Sequence, residues 1–188
     1  MAPVATMRIQ TREEINHEAG RDAFLGPRLD PGLQIMVVYT TPEGTLGALK
    51  AADALAKDLN ARVGLIVTEV VPFRLPLDQP RVSVEFLKER QDVLVSNAGI
   101  ESQEIRVQIC LCRDRKHTLH RLLPPRSLVV IGGRRNWWSS REQRLETFLA
   151  RLGHHVVFVD VGTEARTDTR STLADEQTRS TETRSPGN

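Results

Sequence analysis

A chain of 188 residues, 39% of them hydrophobic, can bury one sizeable core and is short for two ordinary domains. It has no apolar stretch near the roughly 20 residues of a membrane-spanning helix, and residues 1–20 lack the apolar run of a secretory signal. The expectation is a cytoplasmic protein without membrane insertion. The net charge of +2 hides an asymmetry: residues 113–151 hold ten Lys/Arg against three Asp/Glu, which suits either an anionic partner or a solvated basic face.

In chain order, residues 1–32 read as a polar N-terminal extension in which Arg12–Leu25 is a candidate amphipathic helix. Ile35–Tyr39 (IMVVY) is a short β-branched run and predicts a buried strand. Thr41-Pro42-Glu43 then supplies an N-cap, a first-turn proline and an early carboxylate, and Leu46, Leu49, Ala52, Ala56 and Leu59 follow at helical spacing. Val63–Val71 predicts a second strand and Arg81–Ala98 a helix. Glu104–Cys112 predicts a third strand, and Arg113–Leu123 a short helix ended by Pro124-Pro125. Leu128–Ile131, Ser140–Leu152 and Val156–Val161 complete the alternation as strand, helix and strand. Residues 163–188, nearly all Thr, Ser, Arg, Asp and Glu, bury too little apolar surface to order and read as a disordered tail.

Five strands alternating with four helices predict an α/β domain over 33–162: a doubly wound, mainly parallel sheet with helices on both faces. Glu104–Cys112 alternates, with Ile105, Val107, Ile109 and Leu111 on one face and Arg106, Gln108, Cys110 and Cys112 on the other. A central parallel strand is apolar on both faces, so this pattern predicts an edge. Val156, Val157, Phe158, Val159 and Val161 are apolar on both faces. At the opposite edge they would need cover, and the last strand of a second copy would supply it as a homodimer.

Three stretches resemble the universal stress protein family: IMVVYTTPEGTLGALKAADALAKDLNARVGLIVTEVV, SLVVIGG and ETFLARLGHHVVFVDV. The resemblance implies a five-stranded sheet in the order 3-2-1-4-5, dimerisation through strand five, and a regulatory or binding role in the stress response. Related domains are fused to membrane transporters, so a protein partner of that kind is also implied. The family's nucleotide binders carry an aspartate after strand one and a G-x2-G-x9-G-[ST] loop after strand four. Here Thr40 stands at the aspartate, Gly132 at the first glycine, Arg135 at the second, and Glu142-Gln143 at the last pair, with the loop about three residues short. An arginine side chain occupies a place where bare backbone would approach a phosphate. The resemblance therefore implies a degenerate nucleotide site.

Two readings of that loop compete. In the first, Thr40, Gly132, Gly133, Arg134, Arg135, Ser139 and Ser140 form an anion site that senses ATP, AMP or another anion, through backbone N–H groups, arginine forks and a helix N-terminus. In the second, Ser139 or Ser140 caps its own helix, as Ser139-x-x-Glu142 and Ser140-x-x-Gln143 both allow. Trp137 or Trp138 then fills the pocket, or stacks on a partner. Nucleic acid is disfavoured by the lack of a known binding module. Cys110-x-Cys112-x4-His117-x2-His120 offers zinc-ligand types, but cysteines at i and i+2 of a strand lie about 7 Å apart, so no metal is expected. No Walker loop, serine elbow or paired carboxylates mark catalysis, so a nucleotide-using enzyme is the weakest reading.

Overall fold

In the computed structural model the described residues are 5–10, 33–100, 105–135 and 140–162. Thr41 caps helix α1 (Pro42–Leu59) as its composition dictates: its Oγ1 accepts from the Gly44 N–H at 3.1 Å, and Pro42 opens the helix. Asn60 ends it in the left-handed region at φ 48°. Helix α2 (Val84–Ala98) starts three residues later than its periodicity suggests, because Ser83 takes the N-cap and accepts from Phe86 N–H. Asp114 caps α3 (Arg115–Leu122), and Pro124-Pro125 follow its end. Helix α4 (Arg141–Arg151) opens on the Ser140–Gln143 capping box.

Among the described residues six parallel strands form one sheet: β1 (Ala5–Gln10), β2 (Gln34–Val38), β3 (Arg62–Val70), β4 (Ile105–Cys112), β5 (Leu128–Gly133) and β6 (His155–Asp160). Their spatial order is β1-β4-β3-β2-β5-β6. The last five stand in the expected 3-2-1-4-5 order, and the sheet is doubly wound. Its core has two layers. Ile35, Val37, Leu65, Val107 and Ile109 face Leu49, Ala52, Leu87 and Val95 of α1 and α2. On the other face Met36, Val38, Ile66, Val129 and Ile131 meet Leu119, Leu122, Leu145 and Leu149 of α3 and α4.

The expected edge position of β4 is corrected. β1 adds outside it, in register from Ala5–Ile105 to Gln10–Cys110, so β4 lies between β3 and β1. Gln108 is 2% exposed, Cys110 0% and Cys112 1%. The alternating pattern misleads because a free cysteine packs as a small hydrophobe, so two of the four residues counted as polar suit a covered face. The N-terminal strand has its own weak signal, the alternation Ala5, Met7, Ile9 inside a segment read as polar extension. The candidate helix at 12–25 and the tail at 163–188 lie outside the described residues.

Among the described residues β6 ends the sheet on the other side and pairs with β5 alone. Val156, Phe158, Val159 and Val161 are half-buried, and Val157 is 37% exposed. No helix among the described residues is long and apolar enough to cross a membrane.

Candidate functional site

The chain leaves β2 toward β3 on one side and β5 toward β6 on the other, so connections diverge between β2 and β5. In doubly wound sheets the crevice at such a switch point, beyond the strands' C-terminal ends, is where ligands bind. Tyr39 and Thr40 stand at the end of β2, and Gly132 and Gly133 at the end of β5.

Thr40 and Gly132, expected to share a site, are joined directly. The Thr40 hydroxyl donates to the Gly132 carbonyl at 2.6 Å, and the Thr40 N–H donates to Thr45 Oγ1 at 3.0 Å. The N-terminus of α1 is packed hard onto β5 here. A Cβ on Gly44 would stand 2.5 Å from the Gly132 carbonyl oxygen and 2.9 Å from Thr40 Oγ1. Gly133 backs onto Glu142, whose Cγ would lie 2.7 Å from an added methyl.

Ser140 and Arg135 are also engaged with the protein itself. The Ser140 N–H donates to Gln143 Oε1 at 2.7 Å, and Ser140 Oγ accepts from Gln143 N–H at 3.2 Å. Asp160 finds its partners in the backbone: its Oδ1 accepts from Gly162 N–H at 2.9 Å and Arg135 N–H at 3.3 Å. The Arg135 guanidinium lies 5.0 Å from the Phe158 ring centroid and 3.7 Å from Glu146. Arg134 is exposed. Trp137, Trp138 and Ser139 lie outside the described residues.

A second set of residues, passed over in the sequence, holds the β4–α3 turn. Arg113 Nη1 donates to the carbonyls of Val71 and Pro72, Nη2 donates to Leu75 O at 2.7 Å, and the guanidinium lies 5.3 Å from the exposed Phe73 ring. Arg113 thereby clamps the turn after β3, beside a surface cleft of about 350 Å³ lined by Phe73, Arg113, Asp114, His117 and Thr118. Arg115 Nη2 donates to the Tyr39 carbonyl. The Tyr39 hydroxyl accepts from Arg90 Nη2 at 2.9 Å, and burial raises the phenol's pKa while Arg90 opposes the rise. No short-range pattern links these arginines to carbonyls 38–76 positions away. An arginine in a strand-to-helix turn was the available signal.

Cys110 and Cys112 are buried free thiols. Burial pushes Cys110 up to about 12 and raises Cys112 as well, which favours inert, protonated sulfur. His117 and His120 are exposed, and among the described residues no three His, Cys, Asp or Glu side chains could share a metal ion.

Strand order and site together define a doubly wound α/β domain with a switch-point crevice. No protein-family model matches the sequence, and no curated protein does. Among solved structures, the chain is similar to a crystal structure of universal stress protein in complex with cAMP: 17% identity, a TM-score of 0.42, 71% of this chain and 100% of that chain covered.

Proposed function

We propose that the chain is a regulatory binding module of universal-stress-protein type, cytoplasmic and acting in a stress response, rather than an enzyme. Its nucleotide site is degenerate. The observation that carries this reading is the internal use of the loop after β5. Thr40 bonds Gly132, Ser140 and Gln143 close a capping box, and Arg135 faces Glu146 and Phe158. The filled capping box takes up the Ser140 and Gln143 N–H groups, two of those at the start of α4 that a phosphate would use. Both tryptophans of the chain fall at 137–138, two residues after Arg135, so their emission reports on this loop. Millimolar ATP or AMP is expected to change neither tryptophan emission nor Tm. Saturable ATP binding abolished by changing Arg134 and Arg135 to alanine would overturn the reading in favour of a nucleotide sensor.

The module would act through its surfaces. Among the described residues the outer edge of β6 has no strand partner, and a second β6 can cover it beside the part-exposed Val157. We expect a homodimer through this strand, with a further protein partner, such as a membrane transporter, bound elsewhere. Sedimentation at rising concentration should show dimer in the wild type and monomer after Val157→Lys; a wild type that stays monomeric at high micromolar concentration rules the dimer out.

A further inference from the structure

We propose that the Arg115 guanidinium anchors a binding site for a small oxyanion, a carboxylate or a phosphate, at the C-terminal mouth of the sheet. The inference rests on reading that mouth as a binding site, and it places the anchor outside the loop after β5. Arg115 is the first residue of α3, which follows β4, yet its side chain reaches the Tyr39 carbonyl at the end of β2. β3 lies between those two strands, so the guanidinium sits over the sheet's C-terminal end, beside the switch point.

A guanidinium carries five N–H donors in a planar fork and stays charged in proteins. Among the described residues, the donor in use is Nη2, on Tyr39 O; Nε is buried and has no hydrogen-bond partner. No carboxylate among the described residues forms an ion pair with it. Burial lowers the guanidinium's pKa, with Glu142 acting in the opposite sense. A partly buried cation with unspent donors is costly, and an oxyanion answers both demands at once through charge and paired N–H···O bonds.

The surroundings also limit what fits. Glu43 and Glu69 act on Tyr39, and Glu142 on Arg115, so the mouth mixes carboxylates with its cations. A polyphosphate would meet like charge there, whereas a singly or doubly charged group would not meet it to the same degree. That restriction agrees with a loop unsuited to wrapping ATP.

Tyr39 is the one tyrosine of the chain, so labelling tyrosine with 13C places a single reporter at the site. Inorganic phosphate and acetate are titrated separately into the full chain. The expected result is a saturable shift of the Tyr39 ring signals with at least one of them. Affinity should fall about tenfold or more in Arg115→Gln and stay at the wild-type value when Arg134 and Arg135 are both alanine. The responding probe assigns the class, phosphate or carboxylate. No saturable response up to tens of millimolar, or unchanged affinity in Arg115→Gln, overturns the proposal. Should Arg115→Gln not fold, Arg115→Lys decides, since it keeps the charge and loses the fork; unchanged affinity there overturns it. Flat titrations leave the degenerate-loop reading standing, and ATP binding through Arg134 and Arg135 would remove that reading without touching the Tyr39 result.

Discussion

Gly132→Ala is expected to cost about 3 kcal/mol or more, the upper range for forcing atoms into a packed interior. Gly132 is buried at the end of β5, and its methyl would be driven into the carbonyl of Gly44 on α1. Backbone meets backbone there, so no rotamer change relieves the clash, and α1 must move off the sheet. Movement of α1 also breaks the bond from Thr40 Oγ1 to the Gly132 carbonyl. For a domain of this size the loss corresponds to a Tm lower by roughly 6–12 °C. Gly133→Ala is the informative control. Its methyl would meet the Cβ and Cγ of Glu142, a side chain that can turn away, so the cost should be clearly smaller. Thermal melts of both variants decide the point. Equal destabilisation would mean that close packing of α1 on β5 is not what requires glycine at 132.

Leu119→Ala should be nearly as damaging, at about 3 kcal/mol for a fully buried leucine cut to alanine. Leu119 is 0% exposed and packs with Leu122, Leu145 and Leu149 between α3, α4 and the sheet. Helix α3 has eight residues, too few to persist without tertiary anchors. Its N-terminal turn follows Arg113, which clamps Val71, Pro72 and Leu75, and begins with Arg115, which holds Tyr39. The loss should therefore appear at a distance, as faster amide exchange at 71–77 as well as in α3 itself. Val93→Ala, at a position 60% exposed on α2, is expected to change stability by less than about 0.5 kcal/mol. Normal protection of residues 71–77 in Leu119→Ala would show that the arginine clamp does not depend on α3.

Much of this molecule is legible in one dimension because its signals are local. Thr41-Pro42 opens α1, Ser140-x-x-Gln143 opens α4, and the runs at 35–38, 63–67 and 128–131 are apolar enough to be interior strands. Caps and strand periods are decided within a few residues, so the chain spells them out, and alternation of the elements then restricts the topology. The departure of Thr40 and Arg135 from a nucleotide-binding pattern is likewise visible in the sequence.

Other features depend on contacts distant in sequence. The alternation of β4 marks an edge strand until β1, nearly a hundred residues earlier, is seen to cover it. Asp160 has no partner in the sequence and finds two in the backbone of Arg135 and Gly162. Arg134 and Arg135 draw the eye because they follow two glycines, yet among the described residues it is Arg115, reaching Tyr39 across 76 positions, whose guanidinium has a buried N–H without a partner. The elements from β2 to β6 and their order follow from short-range sterics and hydrogen bonding, so the chain spells them out. Which strand is an edge, which polar groups are already spent and which charge is left unanswered depend on desolvation and long-range packing, and only the folded chain decides those.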